Sequence, residues 1–357
     1  MALRRLWLRD FRNYVQADFT PAPTGLTVIR GGNAEGKTNL LEAVGYLATL
    51  SSFRHAPTDA LVRRGCQEAV VRAEAVAGER DILIEAEISP GRRDRVLVNR
   101  QRLQRTRDLL GALRVSVFSP DDLSLVQGGP AERRRYLDEG LVSLHPRHDS
   151  LQSEVDRVLR QRGALLKQAA GRLAPEIAAT LDVWDAKLAR AGEQLVAARR
   201  QLVADLEPAV TKAYDQLAAS AGAPALAYRC SWEGSLADAL AVHRVEDLRR
   251  AMTTVGPHRD DVVLGVDGLA ARTYASRGEQ RCLALALRLA LHAAVTETIG
   301  TAPVLLLDDV FSELDADRSE ALLAHLPLGQ ALLSTAGSVP AGAVPALSVR
   351  VVDGCLL

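Results

Sequence analysis

The run Gly31-Gly32-Asn33-Ala34-Glu35-Gly36-Lys37-Thr38 restricts what this chain can fold into more than any other stretch. It fits G-x-x-x-x-G-K-[ST], the phosphate-cradling loop known as the P-loop, and its flanks fit with it. Leu26-Thr27-Val28-Ile29 ahead of it reads as a short buried strand, and Thr38-Asn39-Leu40-Leu41-Glu42-Ala43-Val44 behind it opens an amphipathic helix. A strand, a glycine-rich loop and a helix in this order curl consecutive backbone N–H groups around an anion, and the helix N-terminus adds positive potential. Gly31, Asn33 and Gly36 shape such a cradle, and Asn39 follows in the first helical turn. Lys37 is placed to reach the β- and γ-phosphates of a nucleotide, and the Thr38 hydroxyl to ligate Mg²⁺.

The rest of the chain narrows the class. Its 357 residues are enough for roughly two or three structural units. The N-terminus, Met1-Ala2-Leu3-Arg4-Arg5-Leu6-Trp7, becomes charged again at Arg9-Asp10 with no apolar core of a leader, and no stretch is expected to reach membrane-spanning length. Cys66, Cys230, Cys282 and Cys355 are far apart, so neither a disulfide framework nor a zinc site is suggested, and a reducing cytoplasm is the expected location. The net charge is zero, which argues against a uniformly basic nucleic-acid binder. The average hides a bias, because only four of the 44 basic residues are lysines. Arginines bunch at Arg92-Arg93 and Arg95, at Arg100, Arg102, Arg105 and Arg107, and at Arg133-Arg134-Arg135, where they could contact phosphates.

Three regions follow along the chain. Up to about residue 130 the text is mixed, with strands at Leu6 to Phe11, Leu26 to Ile29 and Val115 to Phe118. Ala69 to Val76, Ile82 to Ile88 and Arg95 to Val98 alternate between turn residues and predict an antiparallel meander. From 131 to 250 helical periods dominate, punctuated by Pro175 and Pro208. From 251 to 357 the chain closes with an apolar helix, Cys282 to Val295, a buried strand, Pro303 to Leu307, a helix from about Asp317 to His325 and a strand, Ala331 to Ser334. Leu347 to Val352 reads as an edge strand. The fold class is therefore α/β: a head with a mixed sheet, P-loop and meander, made of segments 1–130 and 251–357, plus an inserted helical domain at 131–250.

A second constellation lies far downstream. Val304-Leu305-Leu306-Leu307-Asp308-Asp309 reads as a buried parallel strand whose carboxyl end delivers two acids. Asp308 would hold the Mg²⁺ shell, and Asp309 would orient the attacking water. Ahead of it, Ser276-Arg277-Gly278-Glu279-Gln280 opens the apolar helix. A Ser-x-Gly turn at a helix N-terminus offers free N–H groups to an anion, and Glu279 three residues after Ser276 also completes a capping box. His258 beside Arg259 and Asp260-Asp261 is read as structural, with no metal assigned there.

The order P-loop, Ser-x-Gly-Glu helix start, Asp-Asp strand and Ser312-Glu313-Leu314-Asp315 turn resembles the ABC-type ATPase head shared by SMC-like proteins. Within that group the chain is similar to the RecF family of DNA replication and repair proteins. The likeness continues through Ser52-Phe53-Arg54, through Phe118-Ser119-Pro120-Asp121-Asp122-Leu123 with Leu125-Val126 and Gly128-Gly129-Pro130, and through Arg133-Arg134, Leu137-Asp138 and Gly256-Pro257-His258-Arg259-Asp260-Asp261.

The resemblance implies an ATPase using ATP and Mg²⁺, slow on its own and stimulated by DNA. It gives Ser276 a role in trans, on the γ-phosphate held by the P-loop of a second copy, so that ATP would drive a homodimer. Gln127 would sense Mg²⁺ and the water, while Arg12 and Asn13 would contact nucleotide from a strand end. Asp308-Asp309 stands where Asp-Glu is usual, and Thr335-Ala336 where a switch histidine is expected, so Thr335 could offer the γ-phosphate a hydrogen bond but no charge. The implied role is recombinational repair: an ATP-driven clamp on duplex or gapped DNA, working with RecR and through RecO to load RecA, in the cytoplasm at the nucleoid. Two other classes share the motifs, a nucleotide-gated scaffold with negligible hydrolysis and an ABC transport ATPase subunit. A sugar- or nucleoside-kinase leaves the Ser276 turn without a role.

Overall fold

The computed structural model of the chain describes residues 1–92, 94–218 and 222–357, with side chains for all of these but Thr106 and Arg107. Arg93 and the side chain of Arg107, both in the predicted arginine clusters, lie outside the described residues. The chain forms two compact units: Met1–Leu123 with Lys212–Ala221 and Arg277–Leu357, and Ser124–Thr211 with Gly222–Ser276.

The first unit holds two six-stranded sheets. One is antiparallel, in the order Tyr14–Phe19, Ala2–Phe11, Ala69–Ala77, Arg80–Ile88, Arg95–Val98, Gln101–Arg102. Period-two alternation sets its faces, since Val71, Ala73 and Ala75 are buried while Arg72 and Glu74 between them are partly exposed. The three strands predicted as a meander are consecutive neighbours here, in the register Val71↔Ala86 and Ile84↔Val98. The open face is charge-paired, with Arg5 on Asp18 and Arg72 on Glu85. Trp7 lies between two guanidinium groups, Arg5 at 4.6 Å and Arg72 at 4.9 Å from its ring.

The other sheet runs Cys355–Leu356, Leu347–Val352, Gly25–Arg30, Gln330–Thr335, Val304–Asp308, Val115–Phe118. All its pairings are parallel except that of the two-residue Cys355–Leu356 strand. Val304–Asp308 and Gln330–Thr335 are buried at every residue, as a central parallel strand covered on both faces requires. Leu347–Val352 is not the edge: it pairs with Gly25–Arg30 on one side and with Cys355–Leu356 on the other. Sequence alone could not supply that last neighbour, because it is a hairpin of two residues.

The P-loop helix, Lys37–Thr49, packs between the sheets. Its Leu40, Leu41 and Val44 share one core with Leu6, Val71 and Ile84 of the antiparallel sheet and with Ile29, Leu306 and Leu332 of the parallel one. Arg277–Ile299 is longer than its apolar centre suggested and is long and apolar enough to cross a membrane by length and composition, against the expectation from sequence. More than half of that window is buried. Its Arg288 pairs with the buried Asp122 at 2.7 Å, and its His292 Nδ1 lies 2.9 Å from Ser116 Oγ, so it serves as a core helix of this unit.

The second unit contains the helices Pro130–Leu144, Arg147–Ala169 and Leu236–Arg250, most of Pro175–Leu217, and a three-stranded antiparallel sheet ordered Leu269–Ala270, Asp261–Val266, Pro224–Arg229. Pro208 does not end its helix, which runs unbroken for 43 residues. Both Pro208 and Ala204, whose carbonyl loses its partner, are exposed, which leaves the freed group open to solvent. Arg162 is fully buried, pairing with Asp185 at 2.6 Å and Asp247 at 2.7 Å and donating to Thr253 Oγ1 at 2.9 Å.

Candidate functional site

Parallel pairing brings three strand ends together. Asp308 registers with Ser334, and Thr335 with Arg30, so the P-loop leaves its strand within reach of the Asp-Asp segment. Thr38 Oγ1 donates to Asp308 Oδ1 at 2.7 Å, and Ser334 Oγ donates to the same oxygen at 2.5 Å. Burial pushes the Asp308 carboxyl above the ordinary aspartate range, and the two hydroxyls act against that. Lys37 Nζ donates to Gly32 O at 2.6 Å across the loop.

The loop needs its glycines for different reasons. Gly36 caps the helix at φ 114, a left-handed conformation that costs any other residue strain, and a Cβ there would lie 2.6 Å from Asn13 Nδ2. A Cβ on Gly31 would lie 2.4 Å from the backbone oxygen of Val351.

Arg12 and Asn13 occupy the turn between Ala2–Phe11 and Tyr14–Phe19, folded onto the P-loop. Asn13 Nδ2 donates to Glu35 O at 2.9 Å, and its Oδ1 accepts from Asn39 Nδ2 at 2.8 Å. Tyr14 OH donates to Gly36 O at 3.0 Å, and Gly354 N donates to Glu35 O at 3.0 Å. Asn33 is exposed on the loop.

Asp309 follows Asp308 with φ 48, its N–H shared between Ser334 O and Ser334 Oγ, and its Oδ1 is buried without a hydrogen-bond partner. Thr335 is buried, and its hydroxyl accepts from Gly337 N at 3.1 Å. It is Ser334, one residue earlier, that reaches the acid pair. Strand alternation decides this, because neighbouring residues face opposite sides of the sheet.

Ser276 is exposed at the start of Arg277–Ile299, the last residue of the second unit. Gly278 and Glu279 follow in the first helical turn. A Cβ on Gly278 would come within 2.9 Å of the Arg318 guanidinium, the far end of a flexible side chain. Arg318 pairs with Asp315, whose carboxylate also accepts from Arg318 N at 2.9 Å and caps Ala316–Ala324. Arg281 reaches Glu313 at 3.3 Å. Gln127, exposed at the end of the short helix Ser124–Gln127, belongs to the second unit.

The arginine clusters divide. Arg133 is buried and doubly bonded to Asp261, and Arg134 Nη1 donates to Asp260 O at 2.6 Å. Arg133 is thereby enclosed and committed to Asp261, contrary to the expectation from its spacing, whereas Arg134 is half-buried. Arg92, Arg95, Arg100, Arg102 and Arg105 are exposed. Asp260 also accepts from Tyr228 OH at 2.7 Å, and burial pushes His258 down to about 4.

Sequence reasoning assigned nothing to Ser334, Tyr14, Glu35 or Glu42, although Glu42 lies inside a quoted motif. A polar residue on the inner face of an otherwise apolar helix was the available signal.

Comparison with known proteins agrees with this geometry. The RecF/RecN/SMC N-terminal domain matches residues 2–330. The DNA replication and repair protein RecF of Streptomyces avermitilis is 44% identical over 351 residues, covering 94% of this chain and 93% of that protein. Its counterpart in Frankia alni is 45% identical over 354 residues, covering 94% and 93%. A solved structure of the recombination mediator protein RecF with ATP, in the RecFOR pathway, superposes with a TM-score of 0.92 at 28% identity, covering 100% of this chain and 97% of that one. An Smc head bound to the C-terminal winged-helix domain of ScpA shares the fold alone, at a TM-score of 0.59 and 16% identity. With an ABC-type ATPase head fold, and with relatives of this identity along nearly its whole length, the chain belongs to the RecF family of DNA replication and repair proteins.

Proposed function

We propose that the chain is an ATP-dependent DNA-binding protein of recombinational repair. The observation that carries the reading is the Thr38–Asp308 hydrogen bond, which joins a phosphate-binding loop to a carboxylate from a distant strand. Two hard oxygen donors 2.7 Å apart, on a threonine and an aspartate, suit a Mg²⁺ ion that keeps most of its waters. Thr38 and Asp308 would hold that ion, which would polarise the phosphoryl oxygens when bound.

The backbone of Gly31 to Gly36 and the amine of Lys37 bind and orient the phosphates, with Asn39, Arg12 and Asn13 beside them. Asp309 orients water, its buried and unpartnered Oδ1 being an acceptor in want of a donor. Ser276, with Gly278 and Glu279, acts on the nucleotide of a second copy, so ATP drives a homodimer. That dimer clamps duplex or gapped DNA, slow hydrolysis releases it, and with RecO and RecR it supports RecA loading at the nucleoid.

A second reading, a nucleotide-gated scaffold with negligible hydrolysis, draws on one feature. Asp309 is one methylene shorter than the usual glutamate and sits in a left-handed conformation.

Molar mass by light scattering, with and without ATP, tests the composite site on wild type, Lys37→Met and Ser276→Arg. The mass should double with ATP in the wild type alone, and a mass indifferent to ATP overturns the trans role of Ser276. Turnover with and without DNA then separates the ATPase from the scaffold.

A further inference from the structure

Glu42 lies on the P-loop helix and has no part in the chemistry above. Its side chain is fully buried, and a buried carboxylate persists only where its charge is met. Arg12 meets it twice, through Nε to Oε2 at 2.7 Å and through Nη2 to Oε1 at 2.6 Å. Ser52 donates its hydroxyl to Oε1, and Arg54 Nη1 stands 4.0 Å from Oε2.

These partners come from two segments outside the strand–loop–helix unit, and their next bonds lead back to the loop. Arg54 Nη1 donates to Asn39 Oδ1 at 3.2 Å, Asn39 Nδ2 to Asn13 Oδ1 at 2.8 Å, and Asn13 Nδ2 to Glu35 O at 2.9 Å. Arg12 itself stands at φ 56, in the loop between Ala2–Phe11 and Tyr14–Phe19. The two-residue hairpin closed by the Phe11↔Tyr14 pair places it there, and Glu42 holds its side chain.

We propose that Glu42 is a positioning residue for nucleotide binding: by anchoring Arg12 and Arg54 it fixes the Asn13 amide against the P-loop. The proposal rests on the nucleotide-binding reading of Lys37 and the loop. A merely structural ion pair would add stability and leave affinity alone.

The test is equilibrium binding of a fluorescent ATP analogue to the full chain, with the melting temperature of each nucleotide-free protein. The variants are Lys37→Ala, Glu42→Gln, Glu42→Asp, Asn13→Ala and the double Glu42→Gln/Asn13→Ala. Glu42→Gln should lower the melting temperature, as breaking a buried ion pair does, and should also weaken binding by the folded protein about tenfold, while Glu42→Asp should recover part of the lost affinity. Asn13→Ala should weaken it by a similar factor, and the double variant no further than the worse single one. Arg12→Lys keeps the charge but not the two-pronged contact, and it carries the same expectation should Glu42→Gln not accumulate. Losses that multiply in the double variant, or a lowered melting temperature with unchanged affinity, overturn the proposal. A wild type that ignores the analogue overturns the P-loop reading and this proposal with it. Normal dependence on Lys37 with indifference to Glu42 overturns this proposal alone.

Discussion

Thr38 Oγ1 and Asp308 Oδ1 are 2.7 Å apart in space and 270 residues apart in the chain. Ser334 donates to the same oxygen. Removing the Thr38 hydroxyl should therefore disturb the carboxylate as well as the ion it helps to hold. Thr38→Ala should weaken Mg²⁺-dependent ATP binding at least tenfold, and Thr38→Ser, which keeps the oxygen, should restore most of it. Titration calorimetry at several Mg²⁺ concentrations checks this. Equal binding by Thr38→Ala and Thr38→Ser would remove Thr38 from the site.

Gly31 and Gly278 both resist a side chain, but against different neighbours. At Gly31 the obstacle is the Val351 carbonyl at 2.4 Å, which backbone geometry holds in place. At Gly278 it is the tip of Arg318, which can swing away. Gly31→Ala should destabilise the protein by about 1–3 kcal/mol and abolish nucleotide binding, while Gly278→Ala should stay within about 1 kcal/mol of wild type. Urea unfolding of the two variants side by side decides between them.

Arg162 is enclosed by Asp185 and Asp247 with no exposure of its own. Arg162→Ala takes from Asp247 its cation, while Asp185 keeps Arg244 at 2.7 Å, and should cost about 3–5 kcal/mol. The loss should appear in unfolding by denaturant, with nucleotide affinity of the remaining folded protein unchanged. An Arg162→Ala protein as stable as wild type would show that the network contributes nothing.

Burial lowers both His258 and His292 to about 4 from an ordinary 6.5. A base whose folded value is depressed favours the folded state while neutral. Its contribution is complete above pH 6.5 and is lost as pH falls toward 4. The melting temperature should drop across that window, and His292→Gln should flatten the drop, because Ser116 Oγ can still find a partner in the amide. A melting temperature that is constant from pH 7 to 4 refutes the assignment.

Arg100 and Arg102 are exposed at the far end of the antiparallel sheet, and Arg133 is buried. If DNA phosphates meet the exposed pair, Arg100→Ser/Arg102→Ser should lower the slope of log affinity against log salt by about 2. Arg133→Ala should reduce stability without changing that slope in the protein that stays folded. Fluorescence anisotropy with a labelled duplex over a salt series gives both slopes.

Local chemistry made much of this legible. The G-x-x-x-x-G-K-T run, the all-apolar Val304 to Leu307 and the alternation of Ala69 to Val76 each specify a backbone without reference to anything distant. From them came the α/β class, the meander, and the pairing of a P-loop with an Asp-Asp strand. Legibility ended where a residue's partner was remote. Arg133 looked like a phosphate contact until Asp261 met it, and Pro208 like a helix end until its face proved solvated.

The acid pair draws the line most sharply. That Asp308 would stand near Thr38 followed from motif order, because a parallel strand after a P-loop has only one useful end. That Ser334 and not Thr335 would reach Asp308, and that Glu42 would gather Arg12, Ser52 and Arg54, was decided by the pleat of one strand and the burial of one helix face. Sequence by itself determines which elements form, since propensity and periodicity act over a few residues. Only the tertiary structure decides which charges are matched, since that depends on segments brought together by packing the core.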